Sequence, residues 1–202
     1  MRSFLGEYIA GASDLLACYA CPIGALFDTP PLAAPWDPSL VYAIKRYQDE
    51  IGSTGEFGGD EAVIVTGQQP AVLTGPLYTI FKAITALTVA RTIREKFGVP
   101  CTPVYWVGSD DHDFEEARTA SILTKDHTHL SIEYKPTADI SSLPMYRVPV
   151  EASLHDLVEK AAQEAPLPLA ALREPSDGTL AGTLSELLIV AENDGWTGVS
   201  RH

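Results

Sequence analysis

The stretch from Ala62 to Gly108 constrains this chain more than any other part of it. Ala62-Val63-Ile64-Val65-Thr66 is a continuous apolar, β-branched run that suits a strand covered on both faces. Pro76 then opens a helical pattern that runs to about Phe97, with Leu77, Ile80, Phe81, Ile84, Leu87, Ala90, Ile93 and Phe97 recurring at three and four. Gly98 suits a left-handed stop, and Thr102–Gly108 reads as a second buried strand. Strand, long helix and strand in that order predict a right-handed crossover between parallel strands. In such a sheet ligands lie outside the carboxyl ends of the strands, where helix N-termini expose N–H groups. Both polar clusters of the sequence fall at that edge.

The flanks are less regular. Leu5, Tyr8, Ile9, Ala12, Leu15, Leu16 and Tyr19 have helical spacing and predict one amphipathic helix before the breaks at Pro22 and Pro30-Pro31. Asp37-Pro38-Ser39 resembles an N-cap with proline at the first helical position, ahead of Leu40, Val41, Ile44, Tyr47 and Ile51 on one face. Beyond Asp113 a short helix is predicted at Phe114–Ala117, strands at His129–Tyr134 and Met145–Val150, and helices at Ser153–Glu164 and Thr179–Asn193. A further strand is predicted to start near Gly195–Val199. The expected division is a helical segment at 1–60 packing on the core, a βαβ core at 61–125, an insertion at 126–178, and a helix with a return to the core at 179–202.

Composition narrows the partners. With 14 Lys+Arg against 27 Asp+Glu the formal charge is −13, a surface that repels nucleic-acid phosphates, so an anionic substrate needs local N–H groups and a few placed cations. No apolar run of about 18 residues spans a bilayer, and Glu7 interrupts the N-terminus before a signal core develops, so neither membrane nor export is expected. Three cysteines, Cys18, Cys21 and Cys101, are an odd count that favours a reducing compartment, and the cytoplasm is the expected location. Cys18 and Cys21 have CxxC spacing but lack the second ligand pair of a zinc site and the strand that precedes a redox motif.

Gly67-Gln68-Gln69 and Thr74-Gly75-Pro76 flank the helix start. Backbone amides from Gly75 to Tyr78, with the Gln68 and Gln69 carboxamides, can hold a phosphate or carboxylate; equally, the glycines can serve turn geometry and the glutamines cap backbone groups. The loop matches neither the P-loop nor the GxGxxG pattern. Asp110-Asp111-His112-Asp113 puts three carboxylates beside an imidazole. Asp110 or Asp113 can meet Mg²⁺ or a substrate ammonium, and His112 can take a proton from an attacking amine. The alternative is a helix N-terminus whose acids complement the dipole. Lys82 lies within two turns of the long helix's start, where it can reach an anion or simply be solvated. Glu115, Glu116, His127 and His129 read as exposed, and Cys101 as a packing residue.

The segment Thr66-Gly67-Gln68-Gln69-Pro70-Ala71-Val72-Leu73-Thr74-Gly75-Pro76-Leu77-Tyr78-Thr79-Ile80-Phe81-Lys82 closely resembles the first signature of the BshC family, the cysteine ligases of bacillithiol biosynthesis. Val104-Tyr105-Trp106-Val107-Gly108-Ser109-Asp110-Asp111-His112-Asp113-Phe114-Glu115-Glu116 is similar to its second. The resemblance implies an α/β fold: a Rossmann-like parallel sheet with N-terminal helices and a strand-containing insertion. It also implies thiol metabolism, in which the cysteine carboxylate is joined to the amine of glucosaminyl malate after activation with ATP, ADP being the other nucleotide expected at the site and Mg²⁺ a companion ion. Asp111, His112 and Asp113 are then the catalytic candidates. Gly67, Gln68, Gln69, Thr74, Gly75, Tyr78, Lys82 and Asp110 are the substrate- and phosphate-binding candidates, with no resident metal site. Two rival readings stand beside it: a Mg²⁺-dependent hydrolase or phosphotransferase using Asp110, Asp111 and Asp113, and a nucleotide-binding remnant without turnover.

Departures from the family pattern are specific. Ala71 stands where the family carries glycine, and Gln68 and Gln69 stand where class I ligases use histidines on the activated phosphate. Family members are longer and pair as homodimers through a C-terminal coiled coil, so the C-terminal half of the fold and that coiled coil are expected to be absent here. The stretch Asn193–His202 drifts from the family pattern as a truncated or frameshifted end does.

Overall fold

The computed structural model describes residues 4–19, 25–50, 57–140 and 142–164, with the backbone of 200–201. Cys21, the helix predicted at Thr179–Asn193 and the strand predicted at Gly195–Val199 lie outside the described residues.

The single N-terminal helix predicted from spacing is two short ones, α1 (Phe4–Ile9) and α2 (Ser13–Leu16). Gly11 separates them at φ +80°, a left-handed conformation that ends a helix and that apolar periodicity does not register. Helix α3 (Pro38–Glu50) starts where the cap signal put it: the Asp37 carboxylate accepts the Ser39 N–H at 2.8 Å. A clasp then leads into the sheet. The Glu61 carboxylate accepts the N–H groups of Gly58, Gly59 and Asp60 and the Thr102 hydroxyl. Burial alone would raise its pKa, but these bonds together outweigh burial and hold it below the ordinary glutamate value. Gly59, at φ +91°, leaves room for α3, since a Cβ there would lie 2.7 Å from Val41 Cγ2.

Strand β1 (Ala62–Gln68), helix α4 (Tyr78–Phe97) and strand β2 (Cys101–Val107) form the expected unit, with β1 and β2 parallel from Ala62↔Cys101 to Gln68↔Val107. Helix α4 buries Thr79, Ala83, Ala86, Ala90 and Ile93, and its small residues bring the backbone close to the sheet. Ala90 and Ile93 pack on Ala62 and Cys101; Ala83 packs on Tyr105 and Val107. Gly98 closes the helix in the left-handed conformation. The expectation of strands covered on both faces is corrected: Val65 and Trp106, which alternate with the α4-facing residues, are 62% and 55% exposed. Continuous hydrophobicity marks a strand without telling which faces are covered. A short strand β5 (Ser200–Arg201) pairs parallel with β2, giving the order β1-β2-β5.

After β2, helix α5 (Phe114–Ala117) leads into an antiparallel hairpin of β3 (Thr119–Leu123) and β4 (His129–Glu133). The hairpin pairs residues on both sides of position 125. The strand predicted at Met145–Val150 is instead a 3₁₀ turn, Met145–Arg147. Pro144 and Pro149 on either side cannot donate to a ladder, and they shape a turn from residues whose hydrophobicity suits a strand. Helix α6 (Ala152–Glu164) packs over the hairpin. Tyr134, Met145, Val148, Ile132, Leu154 and Ala161 form the largest buried cluster, and Ala71 and Val72 of the loop after β1 belong to it. Among the described residues no helix is long and apolar enough to cross a membrane.

Candidate functional site

Two loops meet at the carboxyl edge of the parallel pair. Gly67 faces Trp106 across the ladder, and any Cβ on it would lie 2.4 Å from the Trp106 carbonyl oxygen. Only glycine allows the strands to stay paired to their ends. The Gly108 N–H extends the ladder to the Gln68 carbonyl at 3.0 Å, and Gly108 lies against the Gln69 backbone. The two motifs, separate in sequence, are thereby in contact.

From Gln69 the first loop turns inward. Gln69, Pro70, Ala71 and Val72 are buried. Ala71 is extended at φ −150°, a conformation any residue adopts, so its methyl costs the loop no freedom and fills the insertion's core. Leu73, Thr74 and Gly75 follow with φ of 49°, 71° and 67°. Three successive left-handed residues, one of them β-branched, are strained and persist because the packing of Val72 and the Gly75 N–H bond to the Val72 carbonyl (2.8 Å) hold them. Gly75 also approaches Ala71 closely, where a Cβ would meet the Ala71 methyl at 2.8 Å.

Pro76 and Leu77 form the entry to α4, and Tyr78 is its first residue. The Gly75 amide, a predicted anion donor, is used inside the loop; among the described residues the Leu77 and Tyr78 N–H groups keep no backbone acceptor and point the positive end of the helix outward. Lys82 is neither free nor merely solvated. Its Nζ donates to Gln68 Oε1 at 2.8 Å and to the Gly67 carbonyl at 3.2 Å, and lies 4.8 Å from the Tyr78 ring center. Because lysine only donates, the Gln68 carboxamide oxygen must face it, leaving the Gln68 NH₂ as a donor for a ligand oxygen. A groove of about 330 Å³ runs beside β1, lined by Thr66, Tyr78, Phe81, Lys82, Val65 and Val89 among others. Helical periodicity assigns Phe81 to the core, yet it is exposed on this groove.

The second loop is held differently. Asp111 donates its N–H to the Gly108 carbonyl, and its carboxylate accepts the Asp113 N–H at 3.0 Å. Asp113 caps α5 by accepting the Glu116 N–H at 3.2 Å. So the helix-cap alternative holds for part of the cluster: Asp111 and Asp113 each give an oxygen to the local backbone, while His112 and Asp110 are exposed and make no hydrogen bond through their side chains among the described residues. Among those residues no three His, Cys, Asp or Glu side chains gather as a metal set. The carboxylates are adjacent in sequence but do not converge.

No residue pattern signals what anchors this loop. Met145 N–H donates to the Asp111 carbonyl at 2.8 Å, and Tyr146 N–H to the Ser109 carbonyl at 3.0 Å. The 3₁₀ turn mistaken for a strand is thus a clasp on the loop, and Met145 is fully buried in the cluster that holds Ala71 and Val72. Thr79 Oγ1 of α4 and the Tyr105 hydroxyl of β2 are buried without partners among the described residues, and burial pushes the Tyr105 phenol well above its ordinary pKa. Glu115 and Glu116 are exposed, Glu115 pairing with Arg118 at 2.8 Å; His127 and His129 are exposed, Cys18 is exposed and Cys101 buried, as expected.

The chain is similar to proteins of one family. The family model described as bacillithiol biosynthesis BshC, N-terminal Rossmann-like domain, matches residues 53–168. A protein of Salinibacter ruber named "Putative cysteine ligase BshC" is 36% identical over 107 residues, covering 53% of this chain and 19% of the relative. Proteins of the same name from Symbiobacterium thermophilum and Heliobacterium modesticaldum are 36% identical over 137 residues and 49% identical over 65, covering 63% and 32% of this chain. The match spans 24% and 12% of those two relatives, so the chain corresponds to a quarter or less of their length.

Proposed function

This chain belongs to the BshC family of bacillithiol biosynthesis, through its N-terminal Rossmann-like domain, and from that premise we propose that it forms the corner of a ligase site that joins the carboxylate of L-cysteine to the amine of glucosaminyl malate. The observation that carries the reading is the meeting of the two signature loops at the carboxyl edge of the parallel pair, through Gly108 and Gln68.

A carboxylate is a poor electrophile at neutral pH, so the reaction needs it converted to an acyl phosphate or acyl adenylate, which is the role proposed for ATP. The amine then attacks the acyl carbon, the C–N bond forms, phosphate or AMP leaves with the acyl oxygen, and the amine gives up a proton. In this reading the Gln68 NH₂ and the Leu77 and Tyr78 N–H groups hold the anionic oxygens, with Gly67, Thr74 and Gly75 shaping the loop and Lys82 fixing Gln68. Gln69 supports the loop from its buried side. His112, exposed and without a side-chain hydrogen bond among the described residues, takes the amine proton, while Asp111 and Asp113 fix the backbone on either side of it. Asp110 is the carboxylate left to meet the substrate ammonium or Mg²⁺ carried on the nucleotide.

The three carboxylates do not gather as a metal set among the described residues, which speaks against the hydrolase reading, since that needs them together on a metal. The partners proposed are these small molecules in the cytoplasm, and a second copy of the full-length protein.

The test places residues 53–168 into the Symbiobacterium thermophilum relative in place of the matching segment and follows ligation by mass spectrometry. The expected result is an ATP-dependent product with the mass of cysteine plus the amine less water. A well-folded chimera that hydrolyzes ATP or phosphate esters and never forms the amide would contradict the reading.

A further inference from the structure

We propose that Arg147, stacked on Tyr146, anchors a carboxylate of the substrate beside the second loop; the choice of a carboxylate-bearing substrate rests on the ligase reading above. The turn Met145–Arg147 is bonded directly to the loop through Asp111 and Ser109, which places the Arg147 backbone one residue from that contact. Met145 roots the turn in the buried cluster, so the base is rigid while Tyr146 and Arg147 are exposed. The guanidinium carbon lies 5.5 Å from the Tyr146 ring center, a stacking that sets the direction of a long side chain before any ligand arrives. Among the described residues Arg147 makes no ion pair, whereas Arg46 and Arg118 do. Lys82, the other cation at the site, is already engaged with Gln68 and Gly67.

In a chain of net charge −13 a pre-set, unpaired guanidinium next to a substrate loop has an anion as its complement. The planar fork fits a carboxylate with two parallel bonds.

The probe is L-malate, the acid portion of the proposed amine substrate, titrated by calorimetry into the 202-residue chain and its R147A and R147K variants, with thermal melting of each. The expected result is malate binding weakened about tenfold in R147A and less in R147K, which keeps the charge and loses the fork, with unchanged melting and no binding of the neutral diamide of malate. Should R147A melt early, the R147K titration decides. Malate affinity equal in wild type and both variants, or no malate binding by the wild type, would overturn the anchor. Malate held through Arg147 by a chimera that never ligates cysteine would sink the ligase reading and leave the anchor in place.

Discussion

The loop after β1 is rooted in a buried cluster through its side chains, whereas the loop after β2 is held from outside by the Met145–Tyr146 clasp and from within by the Asp111 and Asp113 carboxylates. Ala71 and Val72 are part of the insertion's core, Gly67 and Gly75 sit where no Cβ fits, and three left-handed residues are kept in place by that packing. The second loop gives up carbonyls of Ser109 and Asp111 to the Met145–Tyr146 clasp and leaves His112 and Asp110 exposed. Within each loop most residues serve shape and a few groups, Gln68 in the first and His112 and Asp110 in the second, are left for chemistry. A motif that looks uniformly functional in sequence divides into a scaffold and a set of working groups.

This division can be broken at several points. Gly67→Ala drives a methyl into the Trp106 carbonyl, 2.4 Å from the ideal Cβ, and is expected to cost about 4 kcal/mol or more, seen as loss of the cooperative melt. His112→Ala should leave melting within about 0.5 kcal/mol of wild type while lowering ligation by the chimera about 10²- to 10⁴-fold. Val72→Ala opens a cavity under the first loop and should cost about 2 kcal/mol in denaturant titration, with turnover falling only as the loop loosens. Acid sharpens the contrast from outside the site. Glu61 has a folded pKa below its unfolded one, so its contribution is full above the ordinary glutamate value and is lost as pH falls through the folded pKa. Glu61→Gln should therefore flatten the fall in melting temperature on acidification; an equally steep fall would remove Glu61 from the account. Smallest, Thr74→Gly relieves a φ of 71° and should add about 1 kcal/mol to stability, with reduced turnover if the strained shape matters.

Much of this was legible in residue order. The β-branched run, the long periodic helix and Gly98 specify the βαβ unit, because each signal is local and they agree. Asp37 and Asp113 announce helix starts by the chemistry of their side chains. What was not legible depends on contacts distant in sequence. That Val65 and Trp106 stay exposed depends on which face α4 takes. That Met145–Arg147 is a clasp depends on the Ser109 and Asp111 carbonyls some 35 residues away, and hydrophobicity alone pointed to a strand. Helical spacing leaves Lys82 either to reach an anion or to be solvated, since nothing in it reveals that Gln68 lies within reach. The site's groups were found by motif; their division into fixed and free was not, because hydrogen-bond partners decide it.

The measurement that tests this division most directly is turnover and thermal melting recorded together for His112→Ala and Val72→Ala in the chimera. The account predicts opposite signatures: His112→Ala melts like the parent and loses ligation, and Val72→Ala melts early and retains ligation at low temperature. A His112→Ala chimera that ligates cysteine at the parent's rate would contradict it.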